Sequence, residues 1–155
     1  MSSNQHTARL PYHKLSSKAF MGLVSLSETI KKGPLGTRLA ELVFLRVSQI
    51  NGCAYCMDMH WHALVKEGVE PRHLNAVAGW REAPFFSERD RAALRWAEII
   101  TATPHSDASD EEYAKLQALF SDAEISDLGF AIAVINAWNL LNAGMRAPIP
   151  ETPMV

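Results

Sequence analysis

Apolar positions return every third or fourth residue along most of this chain, the period of a helix, and no stretch alternates as a strand would. A first helix is expected over about residues 12–32, stopping at Gly33-Pro34. A second covers about residues 35–50, "LGTRLAELVFLRVSQI", and meets Asn51-Gly52, where a helix closes on a left-handed residue. The third starts near Cys53 and ends at Gly68, and Pro71 fits the first turn of a short fourth helix through Gly79. Ser87 caps a fifth, "SERDRAALRWAEIITA", whose wet face mixes acids and bases. Ser109 with Glu112, and Ser121 with Glu124, have the spacing of capping boxes and open the sixth and seventh. Beyond Leu128 the seventh is apolar nearly all round, which places it at the centre of its domain or between subunits. The pattern predicts an all-α, single-domain helical bundle of six or seven helices. Its core covers about residues 12–145, with short flexible termini, and no repeat, low-complexity tract or linker interrupts it.

Composition narrows the classes of function. The 155 residues, 48% apolar and 21% charged, suit one soluble domain with a sizeable core. A net charge of -2 with no basic block leaves no footprint for nucleic acid or an anionic membrane surface. The first twenty residues lack the apolar stretch of a signal peptide, and the longest apolar run, residues 130–135, is short of the roughly 20 a membrane span needs. A cytoplasmic protein is the expectation. In that compartment a structural disulfide is uncommon, and two cysteines in a domain this large are no stapling framework.

Both cysteines fall in "GCAYCMDMH", Cys53 and Cys56, with His60 four residues on. On one helix the three sit at about 0°, 300° and 340°, a narrow stripe. Cysteines at i and i+3 reach disulfide range in a first turn, and Gly52 puts Cys53 near a helix N-terminus, where free N–H groups favour a thiolate. Helical side chains lean toward the N-terminus, so the His60 imidazole leans toward Cys56, where it can take the thiol proton or pair with the thiolate. Cys56 thus has the nearer base, and Cys53 is the natural resolving thiol. Glu41 interrupts an apolar run, 12 residues before Cys53. On a continuous helix it would lie about 18 Å away, but a reversal at Asn51-Gly52 brings it back to the stripe, where it could exchange protons with Cys56 or His60. A salt bridge to Arg38 competes for the same carboxylate. Two other uses of the stripe stay open. One is a tetrahedral zinc site from Cys53, Cys56 and His60 with Glu41 or water. The other is a non-catalytic helical oligomer. His62 lies off the stripe and reads as surface, Tyr55 and Trp61 as packing, Trp138 as core or interface, and the six methionines as gap-fillers.

Glu41 followed by Cys-x-x-Cys-x-x-x-His, with "SQINGCAYCMDMH" around it, resembles the signature of the alkylhydroperoxidase D-like proteins of the carboxymuconolactone decarboxylase superfamily. "FSERDRAALRWAEIIT" and "LFSDAEISDLGFAIAVINAWNLL" are similar to the family's later helices, so the resemblance covers about residues 20–145. It implies an all-helical fold, assembly into a trimer or hexamer, and thiol-dependent reduction of a small-molecule peroxide. By that carry-over Cys56 attacks the peroxide and becomes a sulfenic acid, and Cys53 condenses with it to a disulfide. His60 and Glu41 relay protons, and an external dithiol or protein thiol restores the pair. No organic cofactor or metal is implied. Tyr55 stands where well-studied peroxidases of the family carry a histidine, and Leu140 where many relatives carry an arginine. The superfamily also contains decarboxylases without the cysteine pair.

Overall fold

In the computed structural model, which describes residues 7–154, the helix Thr37–Asn51 (α3) is buried over nearly its whole circumference. Residues 39–45, 47 and 48 are all shielded from solvent, and Glu41 is among them. Before it run Tyr12–Leu15 (α1) and Ser17–Lys31 (α2). After it come Ala54–Lys66 (α4), Pro71–Asn75 (α5), a 3-10 turn at Val77–Gly79, Glu88–Thr101 (α6), Asp110–Gln117 (α7) and Asp122–Met145 (α8). The protein is all-helical, with no strand among the described residues. α3 packs against α2, α4, α6 and α8, and Leu42, Leu45, Leu64, Leu94, Leu128 and Ile132 meet in the core. The expected flexible termini fall partly outside the described residues.

The expected elements are present with two subdivisions. The first helix breaks at Ser16, whose backbone leaves helical geometry at φ -120° and ψ 50°. Serine has low helix propensity, so continuing the helix through Ser16-Ser17 gains little, and the Ser16 side chain makes no capping hydrogen bond there. The break frees Tyr12 to turn toward α8. The fourth helix divides into α5 and the 3-10 turn. At α6 Ser87 Oγ accepts from the Asp90 N–H while the Asp90 carboxylate accepts from the Ser87 N–H, a full capping box. Ser121 and Glu124 reciprocate in the same way at α8. Ser109 completes only half a box, because the Glu112 carboxylate turns away to Lys115 and Arg95.

α8 shares the centre with α3 rather than holding it alone. One side of it is buried, whereas Phe130 is 55% and Leu140 73% exposed on the other. Its mean hydropathy reaches 1.4 over 18 residues, so by length and composition it could cross a membrane. The apolar-run count understated this because asparagines interrupt the run. Those asparagines are bonded inside the bundle: Asn136 to Thr101 and Asn139 to Ser48, each through its side-chain amide.

Candidate active site

The site begins where α3 stops. Gly52 adopts the left-handed conformation at φ 67°, its N–H donates to Gln49 and the Cys53 N–H donates to Ser48, the paired bonds of a Schellman closure. Only a residue without a Cβ takes that conformation cheaply, so the chain reverses at Gly52 and α4 starts at once. Cys53 is the N-cap of α4, and its Sγ accepts the Cys56 N–H at 3.3 Å. Cys53 and Cys56 are joined as a disulfide, with Cα atoms 5.3 Å apart. The bridge spans one helical turn and ties no two elements together. Cys53 is 5% exposed and Cys56 wholly buried.

The reversal lays α4 along α3 and brings Glu41 to His60. His60 Nδ1 lies 2.6 Å from Glu41 Oε2, with both side chains nearly sealed from solvent. The other carboxylate oxygen of Glu41 faces Lys31 Nζ at 3.5 Å, and Lys31 in turn pairs with Glu28 at 2.6 Å. Burial works to lower the Lys31 value, but Glu28 and Glu41 outweigh it and raise it, so the ammonium stays charged. Beside that cation Glu41 acts as the acceptor and the imidazole Nδ1–H as the donor. His60 Nε2 is buried and meets no hydrogen-bond partner among the described residues. Arg38 does not compete for Glu41, since its guanidinium forms a two-pronged pair with Asp90 at 2.9 and 3.1 Å.

Two residues that carried no sequence signal complete the surroundings. Asn142 of α8 donates from Nδ2 to Cys56 Sγ at 3.3 Å, and Tyr12 of α1 donates its hydroxyl to Asn142 Oδ1 at 2.7 Å. Tyr12, Asn142, Glu41 and His60 all line one cavity of about 650 Å³. Its apolar wall includes Phe20, Phe44 and Trp138; Trp138, expected in the core or at an interface, packs against the core, lines the cavity with its other side and donates its indole N–H to Ser27. Tyr55, read from sequence as packing rather than chemistry, lines the cavity, and its hydroxyl lies 3.7 Å from Met154 Sδ. Trp61 packs against the core. His62 sits apart, part-exposed beside Asp58. Leu140 lies on the outer face of α8, away from the cavity. While the sulfurs are bonded to each other neither offers a thiolate to a metal, and no three His, Cys, Asp or Glu side chains among the described residues form a metal-holding group.

An all-helical bundle with a cysteine pair one turn from a buried histidine–glutamate pair defines a class already met in the sequence. The chain belongs to the carboxymuconolactone decarboxylase family, whose model matches residues 18–98. The uncharacterised protein YdfG of Bacillus subtilis is 30% identical over 137 residues, 88% of this chain and 93% of that one. A structure of a protein of unknown function from Agrobacterium tumefaciens, provisionally described as the antioxidant defence protein AhpD, superposes with a TM-score of 0.89 at 36% identity. It covers 94% of this chain and 100% of that one. The debrominase Bmp8 shares the fold at 25% identity and a TM-score of 0.74, over 87% of this chain and 71% of its own.

Proposed function

We propose that the protein is a dithiol peroxidase that reduces a small-molecule peroxide through Cys53 and Cys56. The observation that carries this is the cysteine pair at the first turn of α4, beside the Glu41–His60 pair that lines the cavity. The Cys56 thiolate attacks one peroxide oxygen and the O–O bond breaks. The departing oxygen takes a proton and leaves as an alcohol or water, and Cys56 becomes a sulfenic acid. The Cys53 thiolate then attacks that sulfur, the S–O bond breaks, and water departs as the disulfide forms. An external dithiol or protein thiol reduces the bridge and is itself oxidised to a disulfide. His60 is the proton carrier of both halves: with Nδ1–H held by Glu41, its Nε2 lone pair is free to accept a proton and return it. The resemblance to AhpD-like proteins further supports a homo-oligomer, a trimer or hexamer, working in the cytoplasm without cofactor.

Reduced protein would be treated with one equivalent of peroxide, counting free thiols, recording intact mass and assaying bound metal on the same sample. Loss of two thiols and two hydrogen masses is expected, with peroxide turnover sustained by dithiothreitol. Cys56→Ser should abolish the reaction, and Cys53→Ser should stop it after one turnover. Unchanged thiols with one zinc per chain would replace the peroxidase with a metal clasp. Unchanged thiols without metal would leave a helical oligomer.

A further inference from the structure

Cys56 is the more deeply buried sulfur, and burial in apolar surroundings drives a thiol toward its neutral form unless donors meet the anion. The N-terminus of α4 does not meet that need at Cys56. The Cys56 N–H points back to Cys53 Sγ, so the cap geometry serves the other sulfur. Among the described residues the side-chain donor that reaches Cys56 Sγ is Asn142, itself 5% exposed and 86 residues away in sequence. We propose that Asn142 is a catalytic hydrogen-bond donor to the Cys56 thiolate and that Tyr12 positions it.

Three observations fix the direction of that donor. A thiolate or disulfide sulfur can only accept, so it must be met by the amide nitrogen and not the amide oxygen. The opposite end of the amide lies 2.7 Å from the Tyr12 hydroxyl. Burial, with the neighbouring Tyr55 second, raises the Tyr12 value above that of an ordinary tyrosine. Tyr12 therefore keeps its proton as a donor and Asn142 Oδ1 accepts it, and a flipped amide would set its oxygen against a sulfur that can only accept. The chain Tyr12–Asn142–Cys56 joins α1, α8 and α4. It serves both halves of the dithiol cycle proposed above, on which it rests. It favours the attacking thiolate in the first half and the departing Cys56 thiolate when the bridge is reduced in the second. The other titratable groups on the adjoining cavity are His60 and Tyr55 from α4, Glu41 from α3 and Lys31 from α2. Glu28, Lys66 and Glu67 lie along the same cavity wall.

The test is a thiolate titration that uses no peroxide. In reduced protein carrying Cys53→Ser, the Cys56 thiolate is followed against pH by ultraviolet absorbance and by its alkylation rate. The midpoint should lie below the ~8.5 of free cysteine. Asn142→Ala should raise it by about one unit, the scale of a hydrogen bond to a charged group. Asn142→Asp keeps the shape but sets an acceptor against the anion, and should raise it at least as far. Tyr12→Phe removes one hydroxyl at a part-exposed position, leaves the amide free to turn, and should raise the midpoint by about half as much. A packing role would let Asn142→Ala and Tyr12→Phe titrate as the parent, whereas like charge raises the midpoint in Asn142→Asp in either case. A midpoint in Asn142→Ala that coincides with the parent's would overturn the inference, and if that variant does not fold, a coincident Tyr12→Phe midpoint would overturn it. An altered titration in a protein that ignores peroxide would sink the peroxidase reading and leave this one standing.

Discussion

His60 holds one ring nitrogen against Glu41, and the other meets no partner among the described residues, although both sit in a site almost closed to water. A buried nitrogen left open is costly unless something arrives to meet it. In the proposed cycle that visitor is a proton from a thiol or from water. His60→Ala should slow peroxide turnover by about 10²–10⁴-fold, the scale of a positioned acid–base group. Glu41→Gln should fall within the same range while two thiols are still lost to peroxide, because the ring loses the carboxylate charge that holds Nδ1–H and favours a proton on Nε2, but the sulfurs stay in place. Steady-state rates with dithiothreitol as reductant check both, and turnover equal to the parent in His60→Ala would remove the histidine from the cycle. The cysteines, His60 and Glu41 were legible in sequence because one helix turn and one reversal at Gly52 bring them together. Lys31, Tyr12 and Asn142 were not. Tyr12 and Asn142 meet across 130 positions, and no local spacing encodes such a contact. The available hint was a polar side chain in the apolar α8, which needs a partner if it is buried.

The helix ends read well and the helix interiors less so. Caps are local chemistry, so Ser87 and Ser121 marked the starts of α6 and α8 from four residues each. The Glu112 side chain departed from its box because Arg95 and Lys115 offered opposite charge, a tertiary competition invisible to spacing. The break at Ser16 escaped because the apolar period continues through it. Asp90 does two jobs, closing the α6 cap and pairing with Arg38 of α3. Burial pushes its carboxyl upward, but Arg38 and the Ser87 backbone and hydroxyl outweigh that and hold it below the usual range. A carboxyl lowered in the folded state stabilises fully above its unfolded value of ~3.9, and the contribution is lost as pH falls through the folded value. Asp90→Asn should therefore cost roughly 1–2 kcal/mol at neutral pH, about 2–8 °C in Tm. The gap from the parent should close below about pH 4. Thermal melts across that range decide, and a gap independent of pH would mean that the charge contributes nothing.

The bundle buries α3 on all sides and leaves α8 an uncovered stripe of Phe130, Ala133, Leu140 and Gly144. Small and large apolar residues alternating on one helix face suit another helix of the same kind, and the proposed homo-oligomer would cover them. Leu140→Glu should shift sedimentation toward a smaller species without loss of helicity, whereas a parent that sediments as a monomer would remove the assembly from the proposal. Sequence placed α8 at the centre or between subunits; in the bundle one face meets α2, α3, α4 and α6, and the opposite face is left uncovered by the described residues. The burial of the bridge has a further consequence, for kinetics. With Cys53 only 5% exposed and Cys56 sealed, a folded thiol protein has no surface sulfur to collide with. In the proposed cycle a protein reductant would have to wait for the first turn of α4 to lift away from the Gly52 reversal. The rate of such a reductant would then be capped by how often that turn opens, a local fluctuation with its own free energy, and not by how tightly the two proteins bind.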